Sequence, residues 1–170
     1  MDIPYAAGLF DAEGCVRIHR QVFRGSVRYD LRVLIQMTDP RPLIMIADRF
    51  GGVFSVMTPP KDPRHRQKYC WRMSAREAAG FLEQIAPFLK VKREEVELAI
   101  EFQQGVRRGN QKPLPPAEIA RRETLARRIE ALKHVVYDPA DFGMVAKSGD
   151  SENRQSRAKQ RGSTALRGRV

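Results

Sequence analysis

Residues 6–14 constrain the fold more than any other segment, and their sequence is Ala-Ala-Gly-Leu-Phe-Asp-Ala-Glu-Gly. The small side chains of Ala7, Gly8 and Ala12 thin one surface of a predicted helix. A second helix can then approach closely, because the distance between packed helices depends on the side chains at the contact. The segment occurs once in the chain, so the second helix must come from elsewhere.

The end of this predicted helix carries two acidic side chains, Asp11 and Glu13. Gly14 suits a left-handed exit from the helix, and Glu13 is the last side chain before that exit. A carboxylate in this place could bind a divalent metal ion. An ordinary solvated helix end is the alternative, since residues two apart do not share a helix face.

Alternating apolar and polar residues follow the helix, which predicts strands. Val16 and Ile18 alternate with basic residues, Gly25 marks a turn, and residues 29–37 alternate again. Helix starts and glycine pairs further along predict the order α-β-β-α-β-β-α. The remaining predicted segments are strands at 53–58 and 66–73, a helix opened by a capping box at Ser74–Glu77, a helix over 94–106, and a long helix with an apolar stripe of Leu125, Ile129, Leu132 and Val136.

Composition favours a polyanionic partner. The chain of 170 residues has 31 Lys and Arg against 20 Asp and Glu, a net charge of +11. Such an excess is the electrostatic footprint of a nucleic-acid-binding protein, with a basic ribosomal or membrane-surface protein as the alternative. No apolar run reaches transmembrane length, and the N-terminus lacks the order of a signal peptide. The two cysteines are too few for a disulfide framework.

The segment 6–14 resembles the signature of the LAGLIDADG homing endonucleases, and the order and spacing of the elements are similar over roughly residues 4–105. The positions that match the letters of the name are Ala7, Gly8, Leu9, Asp11, Ala12 and Gly14. The resemblance implies an α+β fold: an α-β-β-α-β-β-α core, a curved four-stranded antiparallel sheet that binds DNA, and C-terminal helices. We expect an endonuclease domain at 1–142 and a basic, disordered tail at 143–170.

The resemblance also implies an active site shared by two copies of the chain. A two-fold dimer doubles every residue about its axis, so two Glu13 carboxylates could meet. Glu13 and the backbone carbonyl of Ala12 are the implied metal ligands, and Mg²⁺ is the implied ion. The residues expected at the dimer interface are Ala7, Gly8, Phe10, Asp11 and Ala12.

Two further catalytic residues follow from the resemblance. The stretch Phe-Leu-Lys-Val-Lys resembles one that delivers a lysine to the active site in the single-motif branch of the family, and Lys92 matches better than Lys90. A cation there could stabilise charge on the reacting phosphate. Asp39 matches a polar position that orients water or metal. An N-cap role before Pro40 is favoured for Asp39, and the two roles are compatible.

One face of the predicted sheet is rich in cations and amides, and we expect it to read base edges in the major groove. The alternative is an ordinary polar sheet surface. Tyr69, Trp71 and Met73 alternate with this face and are predicted to be core. The expected DNA-binding residues are Arg17, His19, Gln21, Arg32, Gln36, Arg66, Lys68, Cys70 and Arg72.

The sequence thus predicts a homodimeric, site-specific endonuclease that cuts both strands of a long pseudo-palindromic DNA target, with the intron or intein mobility that the resemblance implies. Neither a membrane nor a small-molecule substrate is expected, and the protein should be intracellular and DNA-associated. Two alternatives stay open: a non-cleaving relative such as a maturase or regulator, and a basic structural or RNA-binding protein.

Overall fold

A computed structural model of the chain describes residues 1–23, 25–106 and 114–137. A 3₁₀ turn at Ala86–Phe88 separates two of the helices. The helices and strands of the described residues are α1 (Ile3–Glu13), β1 (Gly14–Phe23), β2 (Ser26–Met37), α2 (Pro40–Phe50), β3 (Val53–Val56), β4 (Tyr69–Ser74), α3 (Ala75–Ile85), α4 (Arg93–Gln104) and α5 (Pro116–Lys133). The predicted order α-β-β-α-β-β-α is confirmed.

The strands of the described residues form one antiparallel sheet in the order β1-β2-β4-β3. β1 pairs with β2 along its full length, with Gly14 opposite Ile35 at one end and Phe23 opposite Ser26 at the other. β4 pairs only with the second half of β2, from Arg32 to Met37. The sheet is therefore four strands wide near the start of β1 and two strands wide near the hairpin.

One face of the sheet is buried under the helices. Alternate strand residues such as Val16, Val33 and Trp71 are fully buried, because side chains in a strand point to opposite faces in turn. Phe81 of α3 packs edge-on against Trp71, with ring centroids 5.0 Å apart. Trp71 and Met73 are buried as predicted, while Tyr69 is half-buried and stacks on Phe54.

Helix α5 closes the core, but its predicted apolar stripe is too long. Leu125 and Ile129 are buried, whereas Val136 lies beyond the helix end and is 94% exposed. Arg122 is buried instead, with its guanidinium 5.5 Å from the centroid of the Phe102 ring and 2.7 Å from a Glu118 carboxylate oxygen. The stem of an arginine can cover apolar surface in this way.

Two expectations about helix ends are wrong. The Ser74 side chain makes no capping hydrogen bond, so the predicted capping box does not form, and the chain enters α3 through Ala75 with a left-handed φ of 51°. Gly14 has an extended backbone with φ of −74°, which any residue can adopt. Glycine is needed at position 14 because the Phe10 side chain fills the space of a Cβ atom.

Residues Met1–His134 form one compact unit. Of the residues that follow it, the structure describes 135–137. The predicted boundary after residue 142 and the predicted tail at 143–170 lie outside the described residues. None of the helices in the described part of the chain combines the length and the hydrophobicity of a membrane span.

Candidate nucleic-acid interface and catalytic centre

Helix α1 buries one face in its own chain and exposes the other. Ala7 and Phe10 are both 0% exposed, so the expectation that they lie at a dimer interface is wrong. Gly8 and Ala12 are exposed, and a Cβ atom at Gly8 would meet nothing within 4 Å. Tyr5 is 51% exposed and falls three residues before Gly8, on the same helix face. The exposed face of α1 therefore includes Tyr5, Gly8 and Ala12.

Asp11 binds a distant segment of its own chain. Its carboxylate accepts hydrogen bonds from the backbone N–H groups of Lys90, Val91 and Lys92, at 2.7, 3.3 and 2.9 Å. The expectation that Asp11 lies at a dimer interface stays a prediction. Sequence reasoning had no signal for this contact, because about eighty residues separate its partners.

Lys92 lies at the end of α1, and its catalytic role stays a prediction. Its Nζ donates to the backbone carbonyl of Asp11, two residues before Glu13. Lys92 is half-buried, whereas Lys90 is exposed. Glu13 itself is exposed at the last position of α1. The structure thus brings Lys92 to the helix end that carries Glu13.

Asp39 is the N-cap of α2, as predicted. Its carboxylate accepts from the Arg41 backbone N–H at 3.0 Å and from the Arg41 Nε at 3.0 Å. The hydrogen bond to the Arg41 side chain lowers the pKa of Asp39 to about 2. Because Gly14 lies opposite Ile35, Asp39 follows β2 at the same end of the sheet as Glu13. Its role toward water or metal stays a prediction.

Glu95, one turn after Lys92 on α4, is a buried acid that sequence reasoning missed. It is 9% exposed, and its Oε2 has no hydrogen-bond partner within the described part of the chain. Burial raises the pKa of this carboxyl, and the charges of Lys133 and Lys92 partly offset that rise. Its position in the first turn of a charged helix is typical of exposed glutamates, so the sequence does not predict that Glu95 is buried.

The sheet face opposite the core carries cations in facing rows. Arg17 of β1 lies opposite Arg32 of β2, which lies opposite Ser74 of β4. In the next row Arg72 lies opposite Leu34 and opposite Val53. A shallow cavity of about 510 Å³ spans these rows. Since side chains directly opposite share a face, Arg17, Arg32 and Arg72 lie on one surface, as predicted.

Several of the expected DNA-binding residues differ from their prediction in burial or in position relative to the strands. Cys70 is on the predicted face but only 8% exposed, because it lies at the centre of the sheet between β2 and β3. Arg66 and Lys68 are exposed but precede β4, which starts at Tyr69. His19 is half-buried, and its Nδ1 has no hydrogen-bond partner among the residues described. Gln21 and Gln36 are exposed.

This face also holds an acid, Asp30, beside its cations and amides. Asp30 lies opposite His19 in the sheet register and accepts a hydrogen bond from the Arg32 Nε at 3.0 Å. It is two residues before Arg32 in the same strand, so the alternation itself could have found it. The Arg32 side chain is thereby held at one end before any ligand binds.

These features define the fold of the LAGLIDADG homing endonucleases. The archaeal intron-encoded homing endonuclease I-Vdi141I, solved in complex with DNA, is similar with a TM-score of 0.62 and 23% identity over 79% of this chain and 86% of its own. I-CvuI, solved with its DNA target in the presence of 2 mM Ca, is similar with a TM-score of 0.61 and 16% identity over 84% of this chain and 95% of its own.

A third similar structure is longer. I-GzeII, solved with its DNA target, gives a TM-score of 0.55 at 16% identity over 81% of this chain but only 45% of its own. No protein-family model and no curated protein sequence matches the chain. Among the described residues, no group of three or more His, Cys, Asp or Glu side chains is arranged to hold a metal ion.

Proposed function

We propose that this protein is a site-specific DNA endonuclease that acts as a homodimer, with Glu13 of each copy at a shared metal-dependent active site. One observation carries the proposal: Glu13 is exposed at the end of α1, where Lys92 is bound two residues away, at the edge of a sheet face lined with arginines. A carboxylate, a cation and a basic surface are what phosphodiester hydrolysis on DNA requires.

The sheet face supports double-stranded DNA as the substrate. A β-ribbon fits the major groove, where each base pair presents a distinct pattern of donors and acceptors. Arg17 and Arg72 are exposed on this face, and Asp30 preorients Arg32. Arginine suits guanine through two hydrogen bonds, and the exposed Gln36 suits adenine in the same way. The similar structures I-Vdi141I and I-CvuI were both solved with DNA.

The donor atoms at the end of α1 fit a hard divalent cation. The Glu13 carboxylate is exposed, and carbonyls in the last turn of a helix lack partners within the helix. Lys92 takes the carbonyl of Asp11, so Ala12 offers the next one. Oxygen atoms of this kind would hold Mg²⁺. A bound ion would activate a water and stabilise charge on the phosphate, while Lys92 would add a positive charge beside it.

The dimer is supported by the face that α1 exposes and by the lengths of similar proteins. Gly8 and Ala12 put two small residues on the exposed face of α1, and the space beside Gly8 is open. Helices with small contact residues pack closely. The chain covers 45% of I-GzeII but 95% of I-CvuI. Two copies of a unit of this size would therefore match the length of the longer protein.

A cleavage assay on Glu13→Gln tests this function. The target is first found by selecting cleaved sites from a random DNA library with Mg²⁺. Glu13→Gln should bind the selected target at least as tightly as the unmodified protein and leave it uncut, because it keeps the shape and removes the charge. Glu83→Gln, an exposed glutamate on α3, is the matched control and should cut normally.

Undiminished cleavage by Glu13→Gln would rule out the assigned centre. If the library gives no cleaved site, the target is selected by binding instead, and a protein that binds this sequence but never nicks it at any Mg²⁺ concentration would be the non-cleaving relative. Binding that is sensitive to salt but indifferent to sequence, by a monomer, would favour the basic structural protein.

A further inference from the structure

We propose that Asp11 is a positioning residue, whose carboxylate fixes the segment 90–92 so that the Lys92 ammonium stays at the end of α1, on the Asp11 carbonyl two residues before Glu13. The inference rests on the proposed function, since it concerns the same reaction. It adds a residue that touches neither the metal nor the DNA and acts only through Lys92.

The contact between Asp11 and the segment 90–92 works in both directions. The Asp11 carboxylate accepts from three backbone N–H groups, with the shortest contacts at 2.7 Å to Lys90 and 2.9 Å to Lys92. The Lys92 ammonium in turn donates to the Asp11 backbone carbonyl. Backbone and side chain of Lys92 are thus both bound to one residue, which leaves the ammonium little freedom.

Helix α4 cannot fix the conformation of residues 90–92 by itself. Lys92 is its N-cap residue and has no side-chain oxygen to accept from the first N–H groups. Asp11 provides a carboxylate there from α1, and a negative charge is favourable at the start of a helix. Leu89, buried at the other side of the segment, anchors its beginning. The segment is therefore held at Leu89 and by Asp11, just before α4 begins.

Because it is held in this way, the Lys92 side chain does not have to be ordered when the DNA phosphate binds. A lysine side chain has several rotatable bonds, and fixing them costs conformational entropy. A displacement of about 1 Å in a catalytic group can lower a rate by roughly 100-fold. Lys90 is exposed, and among the described residues its side chain makes no hydrogen bond back to Asp11. We therefore expect the loss of Asp11 to act through Lys92 alone.

The test is a double-mutant cycle of Asp11→Asn with Lys92→Met, read out as single-turnover cleavage of preformed DNA complexes with Mg²⁺. An asparagine keeps the size but presents only one accepting oxygen to the N–H groups. We expect Asp11→Asn to lower the rate roughly 10- to 100-fold, with DNA affinity and dimerisation within about 3-fold of the unmodified protein. In the Lys92→Met background, Asp11→Asn should cost nothing further. Asp48→Asn, an exposed aspartate on α2, is the matched control.

Multiplying effects of the two substitutions, or lost DNA binding with an unchanged rate in the complexes that form, would overturn the inference. If Asp11→Asn does not fold, hydrogen exchange of the unmodified protein decides: protected amides at Lys90 and Lys92 support the contact, and rapid exchange there overturns it. The proposed function fails separately, when Glu13→Gln cuts normally. If Glu13→Gln is inactive while Asp11→Asn cuts at full rate, only the role of Asp11 is wrong.

Discussion

The Phe10 ring occupies the space that a side chain at Gly14 would need. A Cβ atom at residue 14 would lie 2.3 Å from the Phe10 Cδ2 and 2.5 Å from the Phe10 carbonyl oxygen. Phe10 is fully buried and packs edge-on against Phe81, with ring centroids 5.8 Å apart. Neither the ring nor the carbonyl can move away without disturbing the core, so the junction of α1 and β1 is set by this one contact.

Gly14→Ala should therefore destabilise the protein, although the backbone at residue 14 suits alanine. Overpacking a core typically costs about 1–3 kcal/mol, and the short distance to a backbone atom favours the upper end. The free energy of unfolding, measured in urea, checks this. Gly80→Ala in α3 is the control and should be neutral or slightly stabilising, since its Cβ would meet nothing within 4 Å. Equal stabilities of the two variants would contradict the prediction.

Gly8→Leu should abolish dimerisation while leaving the single chain folded. The open space beside Gly8 accepts a side chain in one copy, but the added bulk would separate two α1 helices. Sedimentation at micromolar concentration, with and without DNA, measures the assembly. Gly80→Leu in α3 is the matched control, because a Cβ at Gly80 also meets nothing within 4 Å. A Gly8→Leu variant that remains a dimer would place the interface elsewhere.

Arg17→Ala and Arg72→Ala should each relax sequence preference at one position of the target as well as weaken binding. A good two-bond contact with a base discriminates by about 1–3 kcal/mol. The measurement compares affinities for the selected target and its single-base variants. Arg93→Ala on α4, outside the sheet, should leave the preference unchanged. If the sheet variants weaken binding to all sequences equally, these arginines contact phosphate rather than bases.

Glu95→Gln should stabilise the protein at neutral pH. Burial raises the pKa of Glu95 above the ordinary value of 4.5, so the native state holds its proton more tightly than the unfolded state. The free energy of unfolding therefore falls as pH rises from 4.5 through the raised native pKa. A neutral amide removes that fall, with an effect on the order of 1 kcal/mol. Urea unfolding from pH 4 to pH 8 checks it, with Glu83→Gln as control. A stability difference that does not change with pH would contradict it.

The sheet was predictable because its information is local. Alternation of Val16 and Ile18 with polar neighbours is enough to predict a strand with one buried face. Asp39 before Pro40 likewise predicts a helix start, and the hydrogen bond from Arg41 confirms the cap. In each case the residues that decide the structure are within a few positions of one another.

The rest depends on contacts between distant parts of the chain. Small residues in α1 indicate close packing, yet they cannot say whether Ala7 faces a partner or its own core. Asp11 binds the backbone of residues 90–92, and backbone groups leave no trace in a sequence. Gly14 was assigned a left-handed turn because glycine has two uses, and only the position of Phe10 distinguishes them.

The unequal lengths of the strands have a consequence for how strictly a DNA target would be read. β2 has 12 residues, so it is about 40 Å long, the rise of roughly a dozen base pairs per half-site. Base pairs near the centre of a palindrome would face four strands, whereas outer ones would face only the β1–β2 hairpin, beyond the reach of β4. Substitutions in the target should therefore be tolerated increasingly well with distance from the cleavage point, as a gradient along each half-site.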